Sequence, residues 1–149
     1  MRILTLIAAA VIALPTFGLA QSAGLIIGVQ RYDNLQDVKR GARIVQAADT
    51  LNSAGMEIIS LRDPEAQGMR DALVQFGQMA AQADSLLVAL SGRFVQSPTE
   101  TYYLPSDGQA GPLATLPGQA LPLSTVLAWL SAKPGKAVLV LVGETQGAA

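Results

Sequence analysis

The stretch that most constrains the fold is residues 85–94, which reads SLLVALSGRF. A mostly apolar run is interrupted by Ser91 and Gly92, and Arg93 then brings a charge. An apolar run of this length, bounded by turn residues, is typical of a strand buried on both faces of a sheet. The residues after such a strand lie at the carboxyl edge of the sheet, where α/β proteins bind their ligands. We therefore expect any active or binding site at Ser91 to Phe94.

Composition excludes several kinds of chemistry. The 149 residues suffice for one domain with its own core, and a net charge of -1 argues against a nucleic-acid partner. The sequence contains no histidine and no cysteine. It therefore lacks the usual general base at neutral pH, a thiolate nucleophile, disulfides and the usual ligands of zinc and copper. We expect neither a metal ion nor a cofactor.

The first twenty residues have the pattern of a secretory signal peptide. Arg2 supplies a positive start, residues 3–14 are apolar, and Gly18-Leu19-Ala20 forms a small-x-small cleavage site. The apolar run is shorter than the roughly 20 residues of a membrane span. We expect cleavage after Ala20, which leaves a secreted or periplasmic domain of residues 21–149 that is not held in a membrane.

Strand and helix patterns alternate along this mature chain. Apolar runs predict buried strands at 24–29, 56–61, 85–90 and 137–142, with a short strand at 101–104. Apolar residues at helical spacing predict helices over 38–51, 63–80 and 123–132. Asp63 and Pro64 have the order of a helix N-cap and first turn, and Ser124 or a residue nearby is the expected cap of the last helix. The alternation predicts a three-layer α/β/α fold with a mostly parallel sheet.

Six short segments occur in an order found in one known family. They are LIIG at 25–28 followed by Tyr32 and Leu35, Ala54-Gly55, LRD at 61–63 with GMR at 68–70, Ser91-Gly92, YLPSD at 103–107, and LVL at 139–141. This order resembles the caspase-like peptidases of bacteria, which are related to caspases and metacaspases. The resemblance covers most of residues 24–142 and implies a caspase-like sheet without that family's last strands.

The resemblance also implies that the family's catalytic pair is replaced. Arg93 stands at the position of the catalytic histidine, and Glu144 stands at that of the cysteine. Val142 occupies the position of an acidic pocket residue. Caspase chemistry needs a thiolate activated by a nearby imidazole. Arginine does not accept a proton at any working pH, and glutamate is a poor nucleophile towards an amide. We therefore predict that the chain has no catalytic residues.

Several interpretations of this region remain open. Arg93 either pairs with Glu144 at the ends of adjacent strands or is a solvated loop residue. Phe94, Tyr102 and Tyr103 either form an aromatic binding patch or cover the edge of the sheet. A binding cleft would be lined by Ser91, Gly92, Arg93, Phe94, Tyr32, Tyr103 and Glu144.

Two other chemistries have weak support. A Ser91 nucleophile would need a base, and the nearest lysines in the pattern, Lys133 and Lys136, lie at the opposite end of the last predicted strand. A calcium site would be formed by Asp33, Asp37 and Asp107, but the spacing of these residues matches no calcium-binding loop.

Two classes of function follow. The first is a secreted, catalytically inactive caspase-like protein that acts as an interaction or scaffold module. The alternative is part of a cysteine endopeptidase that is truncated or needs a partner chain. The last predicted strand, from Ala137 to Val142, would lie at the edge of the sheet without a proline or an inward lysine to protect it. We expect self-association, or a protein partner, through this strand.

Overall fold

The computed structural model describes residues 21–147, which form six strands and four α-helices. The strands are β1 (Ser22–Gly28), β2 (Glu57–Arg62), β3 (Ser85–Gln96), β4 (Thr101–Tyr103), β5 (Leu121–Pro122) and β6 (Ala137–Gly147). The helices are α1 (Ala47–Ser53), α2 (Ala66–Gln82), α3 (Leu116–Gln119) and α4 (Leu123–Ser131), with 3-10 turns at Gly41–Gln46 and Leu113–Thr115. The predicted signal peptide, residues 1–20, lies outside the described residues.

The six strands form one mixed sheet. β2, β1, β3 and β6 run parallel in that spatial order, which confirms the predicted mostly parallel sheet. β1 pairs with β3 as far as Ser91, and the antiparallel β4 then takes over the same side of β3 from Phe94 onwards. β5 pairs antiparallel with β4. Within residues 21–147, β6 pairs with β3 alone and forms an edge of the sheet.

Helices cover both faces of the sheet, which confirms the three-layer α/β/α fold. The larger core lies between the sheet and α2 and α4, and its central side chains are fully buried. They include Leu25, Phe76, Val88, Leu90 and Val126. On the opposite face, a smaller cluster packs α1 against the sheet through Ala48, Ile26 and Ala89. In the part of the chain described here, no helix has the length and apolarity of a membrane span.

β3 and β6 are both longer than predicted, and the expected break after Leu90 is wrong. β3 continues through Ser91 and Gly92 to Gln96, and β6 continues past Val142 to Gly147. Gly92 and Gly143 are register partners, and a Cβ atom on Gly143 would overlap the carbonyl oxygen of Gly92. The absence of side chains here lets the two strands stay paired beyond the predicted turn.

Two predicted helix starts are also wrong, whereas α4 begins at Leu123 as predicted but with a different cap. The first helical segment begins as a 3-10 turn at Gly41 rather than at Val38. α2 begins at Ala66, whose N–H donates to Asp107 Oδ1 at 2.9 Å, so Asp63 is not its cap. At α4, the cap is supplied by the carboxylate of Glu100, which accepts the N–H of residue 124 at 3.3 Å. Asp107 and Glu100 are remote in sequence from the helices they cap, so helix-start patterns do not reveal them.

Candidate functional site

Arg93 and Glu144 form an ion pair at the carboxyl end of the sheet. The two residues are register partners on β3 and β6, so their side chains lie side by side on the same face. Nη2 of Arg93 is 3.1 Å from Oε2 of Glu144, and the two side chains are 10% and 57% exposed. The interpretation of Arg93 as a solvated loop residue is therefore wrong.

Hydrogen bonds fix both the backbone and the side chain of Arg93. Its Nε donates to the carbonyl oxygen of Gln36 at 2.7 Å. Its backbone N–H donates to the hydroxyl of Tyr32 at 2.7 Å, and its guanidinium carbon lies 5.9 Å from the centre of the Tyr32 ring. That separation is within the range of a cation–π interaction. The loop after β1 thus packs over Arg93 and fixes its orientation towards Glu144.

Tyr32 depends on the glycine that precedes Arg93. A Cβ atom on Gly92 would lie 2.5 Å from the Tyr32 hydroxyl oxygen, so a larger residue would displace the ring. Burial raises the pKa of Tyr32 to about 12. Tyr32 therefore stays protonated at neutral pH and cannot act there as a general base.

The aromatic residues predicted near the site belong to the core. Phe94, Tyr102 and Tyr103 are all buried, and the rings of Phe94 and Tyr103 lie 5.2 Å apart. The Tyr103 hydroxyl donates to the carbonyl oxygen of Ser91 at 2.7 Å, and burial raises the pKa of Tyr103 well above its ordinary value. These side chains cover the end of the sheet and hold β3 to β4; they do not form an exposed aromatic patch.

Aspartates join the loops around the ion pair. Asp63 Oδ1 accepts the backbone N–H groups of residues 30 and 31 at 2.7 and 3.0 Å, and Asp37 Oδ1 accepts that of Tyr32 at 3.0 Å. Asp107 caps α2, as described above. Over residues 21–147, no group of three or more acidic side chains is placed to hold a metal ion. The role of Asp63 was not predicted, because the backbone N–H groups that donate to its carboxylate are more than thirty residues away in sequence.

The seven predicted site residues are brought together, but as a packed cluster. Tyr32, Ser91, Gly92, Arg93, Phe94 and Tyr103 are buried, and Glu144 is exposed. The Ser91 carbonyl oxygen accepts hydrogen bonds from Tyr103 and from the N–H of Val29. Lys133 and Lys136 precede β6 at the opposite end of the sheet, away from Ser91. Only the Glu144 carboxylate offers a reactive group to solvent, and it is already paired with a cation.

Sequence reasoning missed an exposed apolar surface on β6. Val138, Val140 and Val142 point to the same face of the sheet as the α1 cluster and are 56%, 37% and 53% exposed. A groove of about 500 Å³ continues this surface, between Met56 at one side and Lys136 at the other. The apolar pattern of β6 is visible in the sequence, but its exposure depends on which strands α1 covers.

Comparison with known proteins identifies one family. Residues 21–142 match a family whose description is Caspase domain. No curated protein is significantly similar to the chain. The matched region includes Arg93 and ends two residues before Glu144. The assignment of Glu144 to the family's cysteine position is therefore supported by its pairing with Arg93 across β6 and β3, and not by the family match itself.

Proposed function

The chain belongs to the caspase-domain family, and from this premise we propose that it is a catalytically inactive member that acts as an interaction module. One observation carries the proposal. At the two positions where the family resemblance expects histidine and cysteine, the chain has Arg93 and Glu144, joined in an ion pair.

The ion pair and its surroundings oppose peptide hydrolysis. The guanidinium group of Arg93 remains protonated and is occupied by Glu144 and by the carbonyl oxygen of Gln36. A carboxylate in the place of the thiolate is a poor nucleophile, and no imidazole exists in the sequence to activate a hydroxyl. The buried Tyr32 does not supply a base, since its pKa is about 12.

A hydrolysis assay tests the inactive assignment. We expect the purified protein to release no fluorophore from peptides cleaved after arginine, lysine or aspartate. The double variant Arg93→His with Glu144→Cys should also remain inactive, because Val142 replaces the acidic pocket residue. Turnover by the wild type that disappears in Glu144→Gln would contradict the proposal.

The interaction role rests on β6. Its outer backbone groups have no strand partner within the described residues, and its sequence contains no proline. An apolar edge of this kind is a template for pairing with another strand. We expect light scattering at roughly 50 µM to detect an assembly larger than a monomer. Val140→Lys should reduce that mass, whereas Val74→Lys, at an exposed valine on α2, should not. A monomeric wild type under the same conditions would contradict the interaction role.

We further propose that the protein is exported and cleaved after Ala20. The folded domain supports this position, because β1 begins at Ser22 and the backbone nitrogen of Gln21 lies 3.0 Å from Oδ2 of Asp84. Cleavage would turn that nitrogen into an ammonium group that can pair with the Asp84 carboxylate. N-terminal sequencing of exported protein should begin at Gln21. A sequence that begins at Met1 would contradict the proposal.

A further inference from the structure

We propose that the partner of β6 is a second copy of this chain, paired antiparallel so that Val140 lies opposite Val140 of the partner subunit. The proposal rests on the interaction role above and adds the partner and the register. Three properties of β6 point to it: the direction of its backbone groups, the positions of its charges and the symmetry of its apolar side chains.

The backbone groups restrict the possible registers. The N–H of Leu86 donates to the carbonyl oxygen of Lys136 at 2.9 Å, so the backbone of Lys136 faces β3. Backbone groups alternate in direction along a strand. The even-numbered residues of β6 therefore face β3, and the odd-numbered ones face outwards. Antiparallel strands exchange hydrogen bonds between directly opposed residues, so odd-numbered residues must oppose odd-numbered residues. In each allowed register, one residue of β6 therefore lies opposite its own copy, and the twofold axis of the dimer passes between these two residues.

Charge selects one of these registers. Lys136 and Glu144 lie four residues before and four residues after Val140, and both are exposed. A twofold axis at Val140 places each Lys136 opposite Glu144 of the partner subunit. An axis at residue 139 or 141 would instead place Glu144 opposite Pro134 or Val138. Arg93 occupies Oε2 of Glu144, which leaves Oε1 for the second cation.

The same register matches the apolar side chains. It places each Val138 opposite Val142 of the partner subunit and Val140 opposite its own copy. These even-numbered positions form the pairs without direct hydrogen bonds, in which side chains approach most closely. On the other face, Leu139 opposes Leu141, whose side chain is 43% exposed in the single chain. One strand thus supplies both halves of a self-complementary interface, as a twofold dimer requires.

Single-cysteine variants test this register, and the chain has no other cysteine to interfere. Opposed residues in such a pair have Cα atoms about 4.5 Å apart, which a disulfide can bridge. Under mild oxidation we expect Val140→Cys to form a covalent dimer. Val138→Cys and Val142→Cys should each stay uncross-linked alone, because identical positions are then roughly 13 Å apart. A mixture of these two variants should cross-link to each other.

Val74→Cys, at the exposed valine on α2, measures cross-linking through random collision and should give none. The oxidation is done at a concentration where light scattering detects the dimer. Failure of Val140→Cys to cross-link while the dimer is present would overturn the proposed register and leave the interaction role standing. Self-cross-linking of Val138→Cys would likewise overturn it. A chain that is monomeric at every concentration would overturn the interaction role itself.

Discussion

Breaking the Arg93–Glu144 pair should destabilise the domain more than breaking a surface ion pair would, and less than breaking a fully buried ion pair would. Exposed pairs contribute about 0.2–1 kcal/mol, whereas removing one partner of a buried pair costs about 3–5 kcal/mol. Here one side chain is 10% exposed and the other 57%, so water screens the pair from the Glu144 side only. We expect a coupling free energy of about 1–2 kcal/mol between these limits.

A double-mutant cycle measures this coupling. The variants are Arg93→Met, Glu144→Gln and the combination, which keep side-chain size while removing one or both charges. Urea unfolding gives the free energy of each, and the cycle isolates the interaction because the other contacts of each side chain cancel. Added salt should reduce the coupling only in part, since the guanidinium group is largely buried. A coupling below about 0.3 kcal/mol, which is the error of additivity, would refute the reasoning.

Three further predictions concern residues around the site. Tyr103→Phe should lower the free energy of unfolding by about 1–2 kcal/mol in urea titrations, because the buried carbonyl oxygen of Ser91 loses its hydroxyl donor. Hydrogen bonding to Ser124 lowers the pKa of Glu100, so its ionised form stabilises the fold above about pH 4.5, and this contribution disappears as the pH falls through the lowered pKa. Glu100→Gln should therefore weaken the acid sensitivity of the urea midpoint, and unchanged sensitivity would contradict the role of Glu100. Gly143→Ala should reduce thermal stability and, in the cycle above, the Arg93–Glu144 coupling, since the new Cβ atom would overlap the Gly92 carbonyl oxygen. A coupling equal to that of the wild type would contradict this.

The sequence was sufficient to predict most of the architecture. The buried strands are continuous apolar runs separated by helical patterns. This alternation predicts a parallel sheet independently of the loop conformations. The family resemblance singled out Arg93 and Glu144 as residues at the ends of adjacent strands. Both predictions depend on patterns that are local in the sequence, or on their order along it.

The remaining features depend on contacts between distant residues. β3 passes its predicted end because Gly92 and Gly143 approach each other across two strands, and neither glycine alone indicates this. Asp63 has the sequence pattern of a helix cap, but its carboxylate binds the loop after β1 instead. The exposure of Val140 follows from the position of α1 over the neighbouring strands, which sequence periodicity does not specify.

Hydrogen exchange along β6 tests the interaction role most directly. The N–H groups of Leu139 and Leu141 face outwards, whereas those of Val138 and Val140 face β3 and serve as an internal control. Exchange is followed for each amide from roughly 5 to 200 µM protein, because association depends on concentration by mass action. We predict that protection of Leu139 and Leu141 rises with concentration while that of Val138 and Val140 stays constant. Rapid exchange of Leu139 and Leu141 at every concentration would contradict the use of β6 as an interaction edge.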